Sequence, residues 1–384
     1  MAPMTSRERV LAAINHQEPD RVPVDVGGAA CTTLVAEAYD RLKRFLGVAG
    51  ETEILSKLSR TARLEECVLK RLGSDCVPVR VKSPSAWKAR SVGPETYIDI
   101  WGVTWKRVRY GDGCFYWETA KNPLAEATLS DLDRYPWPDP EDPGFTQGLA
   151  EEAQALYEGT RYALIGDVGF KSFWELGVRL RGFEQLLMDL ALDPDFVSAL
   201  MTRLLEINVA VADHFLDAVG RYIQVFHVGD DLATQRGLLV SLKTFREILK
   251  PVYKRYFDFV RSKTRAKIFF HICGNAEDLI GDLVDVGVEI LNPVQVSAIE
   301  DTAALKARFG SKIVFWGAID TQQVLPHGSI EDVEAEVGKR IHDLGPGGGF
   351  VLAAVHNIQP DVPPQNILAM VDAARRLGTY PLRA

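Results

Sequence analysis

At 384 residues, with 47% hydrophobic and 25% charged content, the chain is long enough for one large barrel or two ordinary domains and apolar enough for a sizeable core. A net charge of −8 and a pI near 5.5 argue against a duplex nucleic-acid binder, which needs lysine and arginine to neutralise phosphates, and disfavour a highly anionic substrate. The start of the chain has no apolar signal core, no window approaches the roughly 20 apolar residues of a membrane helix, and five scattered cysteines without a CxxC pair form no disulfide framework; a cytoplasmic protein with reduced thiols is expected.

Residues 5–16 set Val10, Leu11 and Ile14 among charges, which predicts a helix with Thr5 or Ser6 as N-cap. Residues 20–28 read as a short strand ending in a glycine turn, and a helix over about 34–46 completes a first β/α unit. Between about 75 and 145 the texture changes. Aromatic alternation over 97–105 and the run 111–118 predict a β-hairpin, and Pro136, Pro138, Pro140 and Pro143 make a stiff connector in which no helix persists. The stretch reads as an insertion or lid on a single domain spanning 1–384.

From residue 150 onward, apolar runs at 162–167, 222–228, 267–273, 288–291, 312–316 and 350–355 alternate with gaps mostly long enough for a helix. That is the pattern of buried parallel strands. With the early strand near Val22 they give seven, and an eighth can be short or irregular. A (β/α)8 barrel is the economical reading; a doubly wound open sheet is the alternative.

In such a barrel, function collects where the strands end. The ends here are polar: Asp25, then Asp167, then His227 with Asp230 and Asp231, then His271 and Cys273 with Asn275. Further on come Asn292 with Gln295, Asp320 after Trp316, and His356 with Asn357. Each alone reads plainly as a helix N-cap or a side chain tying down a loop, and their common placement is what points to a site. Asp230, Asp231 and His227 are the candidate catalytic groups. Asp25, Asp167, Asn275, Gln295, Asp320 and Asn357 are candidate substrate contacts, with Phe170, Phe173, Trp174 and Trp316 as candidate walls of an apolar pocket, although core packing explains each aromatic equally well.

His271 and Cys273 are the sharpest pair. Residues two apart on a strand share a face, and imidazole and thiolate are the donors zinc prefers. A catalytic zinc typically takes three protein ligands and keeps a fourth position open, and His356, at the end of a later apolar run, is the candidate third ligand. The other histidines, His16, His214, His327 and His342, fall in helical or loop contexts.

Residues 4–24, the Gly229-Asp230-Asp231 turn, His271-Ile272-Cys273-Gly274, Leu291-Asn292-Pro293-Val294-Gln295, Trp316 to Asp320 and residues 356–366, in this order, resemble the uroporphyrinogen decarboxylase superfamily. The resemblance implies a (β/α)8 barrel with its pocket at the C-terminal end of the strands. True uroporphyrinogen decarboxylases hold an octacarboxylate tetrapyrrole with an arginine-rich stretch just after the first strand. Residues 24–33 here contain no arginine, which argues against that substrate.

The other branch of the superfamily comprises zinc-dependent methyltransferases that exchange a methyl group with a corrinoid protein, with a His-x-Cys plus distant Cys motif. His271 and Cys273 match its first part, and His356 stands where the distant Cys would be. Replacing a thiolate by imidazole raises the net charge of the site by one and makes the metal a stronger Lewis acid toward oxygen. The resemblance therefore implies removal of the methyl group of a methoxylated aromatic and its transfer to cob(I)alamin on a separate corrinoid protein, since the chain has no Asp-x-His-x-x-Gly corrinoid motif of its own. Asp230 or Asp231 would orient substrate or handle protons. A cofactor-free decarboxylase of a smaller carboxylate and a non-catalytic partner of a corrinoid protein are the alternatives, and a homodimer is compatible with the sequence.

Overall fold

The computed structural model describes residues 3–86, 88–110, 114–169 and 173–382. Seven parallel strands form one curled sheet: β1 (Cys76–Arg80), β2 (Ala163–Asp167), β3 (Val225–Gly229), β4 (Lys267–His271), β5 (Ile290–Asn292), β6 (Val314–Ile319) and β7 (Phe350–Ala354). Their spatial order follows the chain, from β1 at one edge to β7 at the other. Helices cover the outside of the sheet, so both faces of each strand are buried and the strands are apolar almost throughout. The fold is the (β/α)8 barrel expected from the sequence.

The eighth position is the irregular one. Val24 makes an isolated parallel bridge with Leu352 of β7, and the Leu352 amide donates to the Pro23 carbonyl at 2.9 Å. On its other side, the Asp75 amide donates to the Val24 carbonyl at 2.7 Å, and the Val24 amide donates to the Asp75 carboxylate at 2.9 Å. Pro23 has no N–H and takes part only through its carbonyl, and the Val24 amide finds its acceptor in a side chain rather than a strand backbone. Asp75 is fully buried and is neutralised by Arg9 at 2.6 Å and Arg21 at 2.9 Å.

Two expectations differ from this arrangement. The strand read at residues 20–28 contributes only that bridge to the sheet, with an antiparallel one from Arg21 to Thr379 outside it, and β1, absent from the sequence reading, falls inside the stretch assigned to an insertion. Pro78 at the centre of β1 explains the omission, because proline demotes a strand signal. Here β1 ladders with β2 from Cys76 opposite Ala163 to Arg80 opposite Asp167, while its other side meets the irregular segment.

A helix at Ser6–Ile14 opens the chain, with Thr5 and Glu8 forming a reciprocal capping box. Its Val10, Ala13 and Ile14 pack against Ala163, Val225, Ile290 and Val314, the first residues of four strands, and so stopper the N-terminal end of the barrel. Each such buried aliphatic side chain is worth roughly 1.5–3 kcal/mol. Above this layer Phe269 and Trp316 meet edge to face, 5.4 Å between centroids, and fill the barrel up to the level of the strand ends.

Between β1 and β2, the segments Arg90–Gly93, Thr96–Ile98, Thr104–Tyr110 and Cys114–Lys121 form a four-stranded antiparallel sheet. It rests on the small hairpin Ile54–Ser56 with Thr61–Ala62, through Lys57 over the Tyr97 ring at 4.0 Å and Arg60 over the Phe115 ring at 4.0 Å. No helix among the described residues is long and apolar enough to cross a membrane.

Candidate metal and substrate site

His271 is the last residue of β4, buried and paired on either side with Gly229 of β3 and Asn292 of β5. Two residues on, the Cys273 amide donates to Asp231 Oδ1 at 2.8 Å, which fixes the loop carrying the thiol. Gly274 follows with φ +91°, where a Cβ would lie 2.6 Å from the Thr234 carbonyl oxygen, so glycine is required for the chain to turn away at once. Gln295 Oε1 accepts from the Gly274 amide at 2.8 Å and closes the turn.

The barrel brings His356, just beyond β7, to this pair. One donor atom from each of His271, Cys273 and His356 lies within 4.8 Å of the other two. Cys273 Sγ is 3.3 Å from His271 Nε2, and the His271 and His356 rings are 5.4 Å apart between centroids. Around a tetrahedral zinc with nitrogen at ~2.0–2.1 Å and sulfur at ~2.3 Å, donors sit roughly 3.3–3.6 Å apart, so a contraction of about 1 Å at the widest pair would seat the ion. Two imidazoles and a thiolate fit zinc in kind as well as in spacing.

Asn292, at the end of β5, supports the cluster from behind. Its amide nitrogen donates to the Trp316 carbonyl at 2.8 Å, which turns Oδ1 toward His271 Nδ1, 2.5 Å away. Nδ1 therefore carries the ring proton and Nε2 presents its lone pair on the side of Cys273, the tautomer that metal ligation needs. Cys31 Sγ lies 3.5 Å from the same Asn292 oxygen and 3.5 Å from His227 Nε2. His227 Nδ1 faces Asp167 Oδ1 at 3.6 Å, and Arg80 Nε faces Asp167 Oδ2 at 3.5 Å. Burial opposes ionisation of Asp167, but Arg80 and His227 outweigh it and hold the carboxyl well below the usual carboxylate range. A polar chain thus runs from Arg80 to the candidate metal ligands.

These groups open onto a cavity of about 230 Å³ whose wall includes Cys31, Asp167, His227, His271, His356 and Asn357. Arg80 and Arg179 also line it, as do Ser56 and Ser59 of the small hairpin. The sequence reading missed Cys31, Arg80 and Arg179. Arg80 ends a strand hidden by its proline, and Arg179 lies within a helix, Trp174–Arg181, where one charge among several carries no signal of its own.

Other candidates sit elsewhere. Asp230 is fully buried and accepts from the Phe173, Trp174 and Glu175 amides at 2.6–2.7 Å and from the Tyr253 hydroxyl at 2.5 Å, capping the helix that starts at Trp174. Burial, then the charge of Glu175, pushes its carboxyl up to about 7 against those donors. Asp231 holds the Cys273 amide. Asp25 is buried beneath the site, accepting from Gly28 N at 2.7 Å and Trp316 Nε1 at 2.9 Å, and burial pushes it up to about 6 despite these bonds and one from Thr32. Phe173, Trp174 and Trp316 are core side chains, at most 1% exposed. Asn275 and Asp320 cap the turns that follow them, through the Glu277 amide and the Gln322 and Gln323 amides. Phe170 lies outside the described residues. Among the site candidates of the sequence reading, the ones facing the cavity are therefore Asp167, His227, His271, His356 and Asn357, with Cys273 beside them.

Comparisons with known proteins agree with this architecture. Residues 115–377 match the family described as uroporphyrinogen decarboxylase (URO-D). The chain is 30% identical over 168 residues to the methylcobamide:CoM methyltransferase MtaA of Methanosarcina barkeri, a match covering 44% of this chain and 45% of that one, less than half of that relative's length. It is 23% identical over 274 residues to the uroporphyrinogen decarboxylase of Proteus mirabilis, covering 68% of this chain and 73% of that one. Among solved structures, a methyltransferase from Methanosarcina mazei superposes with a TM-score of 0.65 at 19% identity, covering 97% of this chain and 99% of its own, which shows a shared fold.

Proposed function

The chain belongs to the uroporphyrinogen decarboxylase (URO-D) family, and within it we propose a zinc-dependent methyltransferase that takes the methyl group of a methoxylated aromatic compound and passes it to cob(I)alamin on a separate corrinoid protein. The observation that carries this reading is the meeting of His271, Cys273 and His356, from three points far apart in the chain, at one edge of a cavity. Relatives in both branches of the family support an enzyme, and the methylcobamide in the name of the Methanosarcina barkeri relative supports the corrinoid partner.

Zinc held by these three side chains would supply a Lewis acid for the ether oxygen, with Asp231 and Asn292 fixing the Cys273 loop and the His271 tautomer. The cavity, about 230 Å³, suits one aromatic ring with small substituents and is below the usual range for larger ligands. His227, set between Cys31 and Asp167, is the side chain placed to hold a proton for the oxygen as its methyl group departs. The barrel floor of Phe269 and Trp316 excludes water from below.

A cofactor-free decarboxylase is the second reading, favoured by the Asp167 carboxylate and the Arg80 guanidinium on the cavity wall. One experiment separates the two. The purified chain is assayed for zinc by mass spectrometry, and its reaction with a methoxybenzene and a cob(I)alamin protein is followed by the appearance of methylcobalamin absorbance. Stoichiometric zinc lost in His271→Ala together with methyl transfer supports the methyltransferase. Full turnover without metal refutes it.

A further inference from the structure

We propose that Arg80 and Arg179 form an anion subsite that selects substrates carrying a single carboxylate on the aromatic ring. The inference rests on the methyltransferase reading for the ring and methoxyl group, and on the cavity wall alone for the charge. Among the described residues that line the cavity, two are arginines and one, Asp167, is a carboxylate. On the wall itself the arginines outnumber the carboxylates two to one, in a chain whose net charge is −8. A cavity with low-dielectric walls concentrates such a surplus on whatever enters it.

Both guanidiniums are held by neighbouring elements. Arg80 donates to the Leu55 carbonyl at 3.2 Å from the small hairpin, and Arg179 stacks 5.3 Å over the Trp105 ring of the antiparallel sheet. Each also faces one acid, Arg80 at 3.5 Å from Asp167 and Arg179 at 3.3 Å from Glu175. A guanidinium has five N–H donors in a fixed fork, so these partners orient it without exhausting it. Arg80 and Arg179 come from β1 and the helix after β2, whereas the candidate metal ligands come from β4 and from beyond β7. A ring with its methoxyl oxygen toward His271 and His356 would carry its other substituents along a wall that includes both arginines. One carboxylate can take the N–H donors that Asp167 and Glu175 leave open on the two guanidiniums. Several could not all do so.

The test is equilibrium binding by calorimetry on the full chain, with and without zinc, using 4-methoxybenzoate and its neutral isostere 4-methoxybenzamide. Wild type should bind the benzoate more tightly than the benzamide, and Arg80→Met and Arg179→Met should each cut benzoate affinity by roughly 10- to 100-fold while moving benzamide less than twofold. Arg80→Lys should restore part of the loss. Equal binding of benzoate and benzamide by wild type, or a benzoate preference that vanishes once zinc is stripped, places no carboxylate on the arginines and overturns the proposal. So does equal competition by inorganic phosphate. Arginine-dependent benzoate binding with no methyl transfer to cob(I)alamin would leave the subsite standing and remove the methyltransferase reading.

Discussion

His271 Nδ1 and Asn292 Oδ1 meet at 2.5 Å across the ends of β4 and β5, and the Trp316 carbonyl holds the Asn292 amide in the orientation that makes this contact a donor–acceptor pair. Asn292 therefore sets which nitrogen of His271 can bind a metal. Asn292→Ala should weaken zinc affinity by roughly 10- to 100-fold while the fold persists. Competition with a zinc chelator dye measures it, and an unchanged affinity would remove Asn292 from the metal's support.

Gly274 is the hinge between ligand and loop. Gly274→Ala sets a Cβ 2.6 Å from a backbone oxygen at a φ of +91°, so the Cys273 thiol or the Thr234 strand must move. A cost of about 1–3 kcal/mol is expected. Thermal unfolding with and without zinc should show both lower stability and a smaller zinc-induced rise in Tm.

Trp316 distinguishes a pocket wall from a core side chain. It is fully buried, and its indole N–H donates to Asp25 at 2.9 Å. Trp316→Phe removes one donor from that buried carboxylate, leaving those of Gly28 and Thr32, and should destabilise the chain by about 1–3 kcal/mol. The affinity for an aromatic ligand should stay within a factor of two; a large affinity loss at unchanged stability would return Trp316 to the pocket.

Asp25 also gives stability a pH dependence. Its carboxyl sits near 6 in the fold because it is buried, above the ordinary value of 3.8 that the unfolded chain restores. The folded state then keeps a proton that the unfolded state releases, so this contribution is complete below about 4 and is lost as pH rises through about 6, a swing of roughly 3 kcal/mol. Asp25→Asn should flatten the slope of denaturant stability between pH 4 and 6. An identical slope in both proteins would assign the effect elsewhere.

Asp75 accepts from Arg9, Arg21 and the Val24 amide while fully buried. Asp75→Ala leaves Arg21 without its carboxylate, while Arg9 keeps Asp20 at 2.6 Å, and should cost about 3 kcal/mol. Urea denaturation measures the loss, and a cost below about 1 kcal/mol would mean that water reaches the seam.

The barrel was legible where strands are uninterrupted apolar runs, as at β2, β4 and β7, because burial on both faces leaves an unambiguous pattern. It was not legible at β1, where Pro78 mimics a break, and residues 22–25, read as a strand, join the barrel through a single bridge rather than a ladder. Within the site, His271, Cys273 and His356 could be singled out by donor chemistry alone. Asp230 and Asp320 could not be told from catalytic acids, since a carboxylate after a strand looks the same whether it meets a cavity or a helix N-terminus. Arg80 and Arg179 became visible only through the long-range packing that brings two β elements beside them.

The segment that completes the barrel also leads directly to part of its cavity. Residues 22–25 join β7 to β1, and a few residues later the same stretch supplies Ala30 and Cys31 to the cavity wall. The Pro23 carbonyl and the Asp25 amide hold this strip to Leu352, and the Val24 amide and carbonyl hold it to Asp75, so the cavity wall that follows is anchored to both edges of the sheet. Loosening Asp75 would therefore reach the cavity, and in Asp75→Ala amide hydrogen exchange should quicken at Val24, whose acceptor is lost, before it quickens in β4.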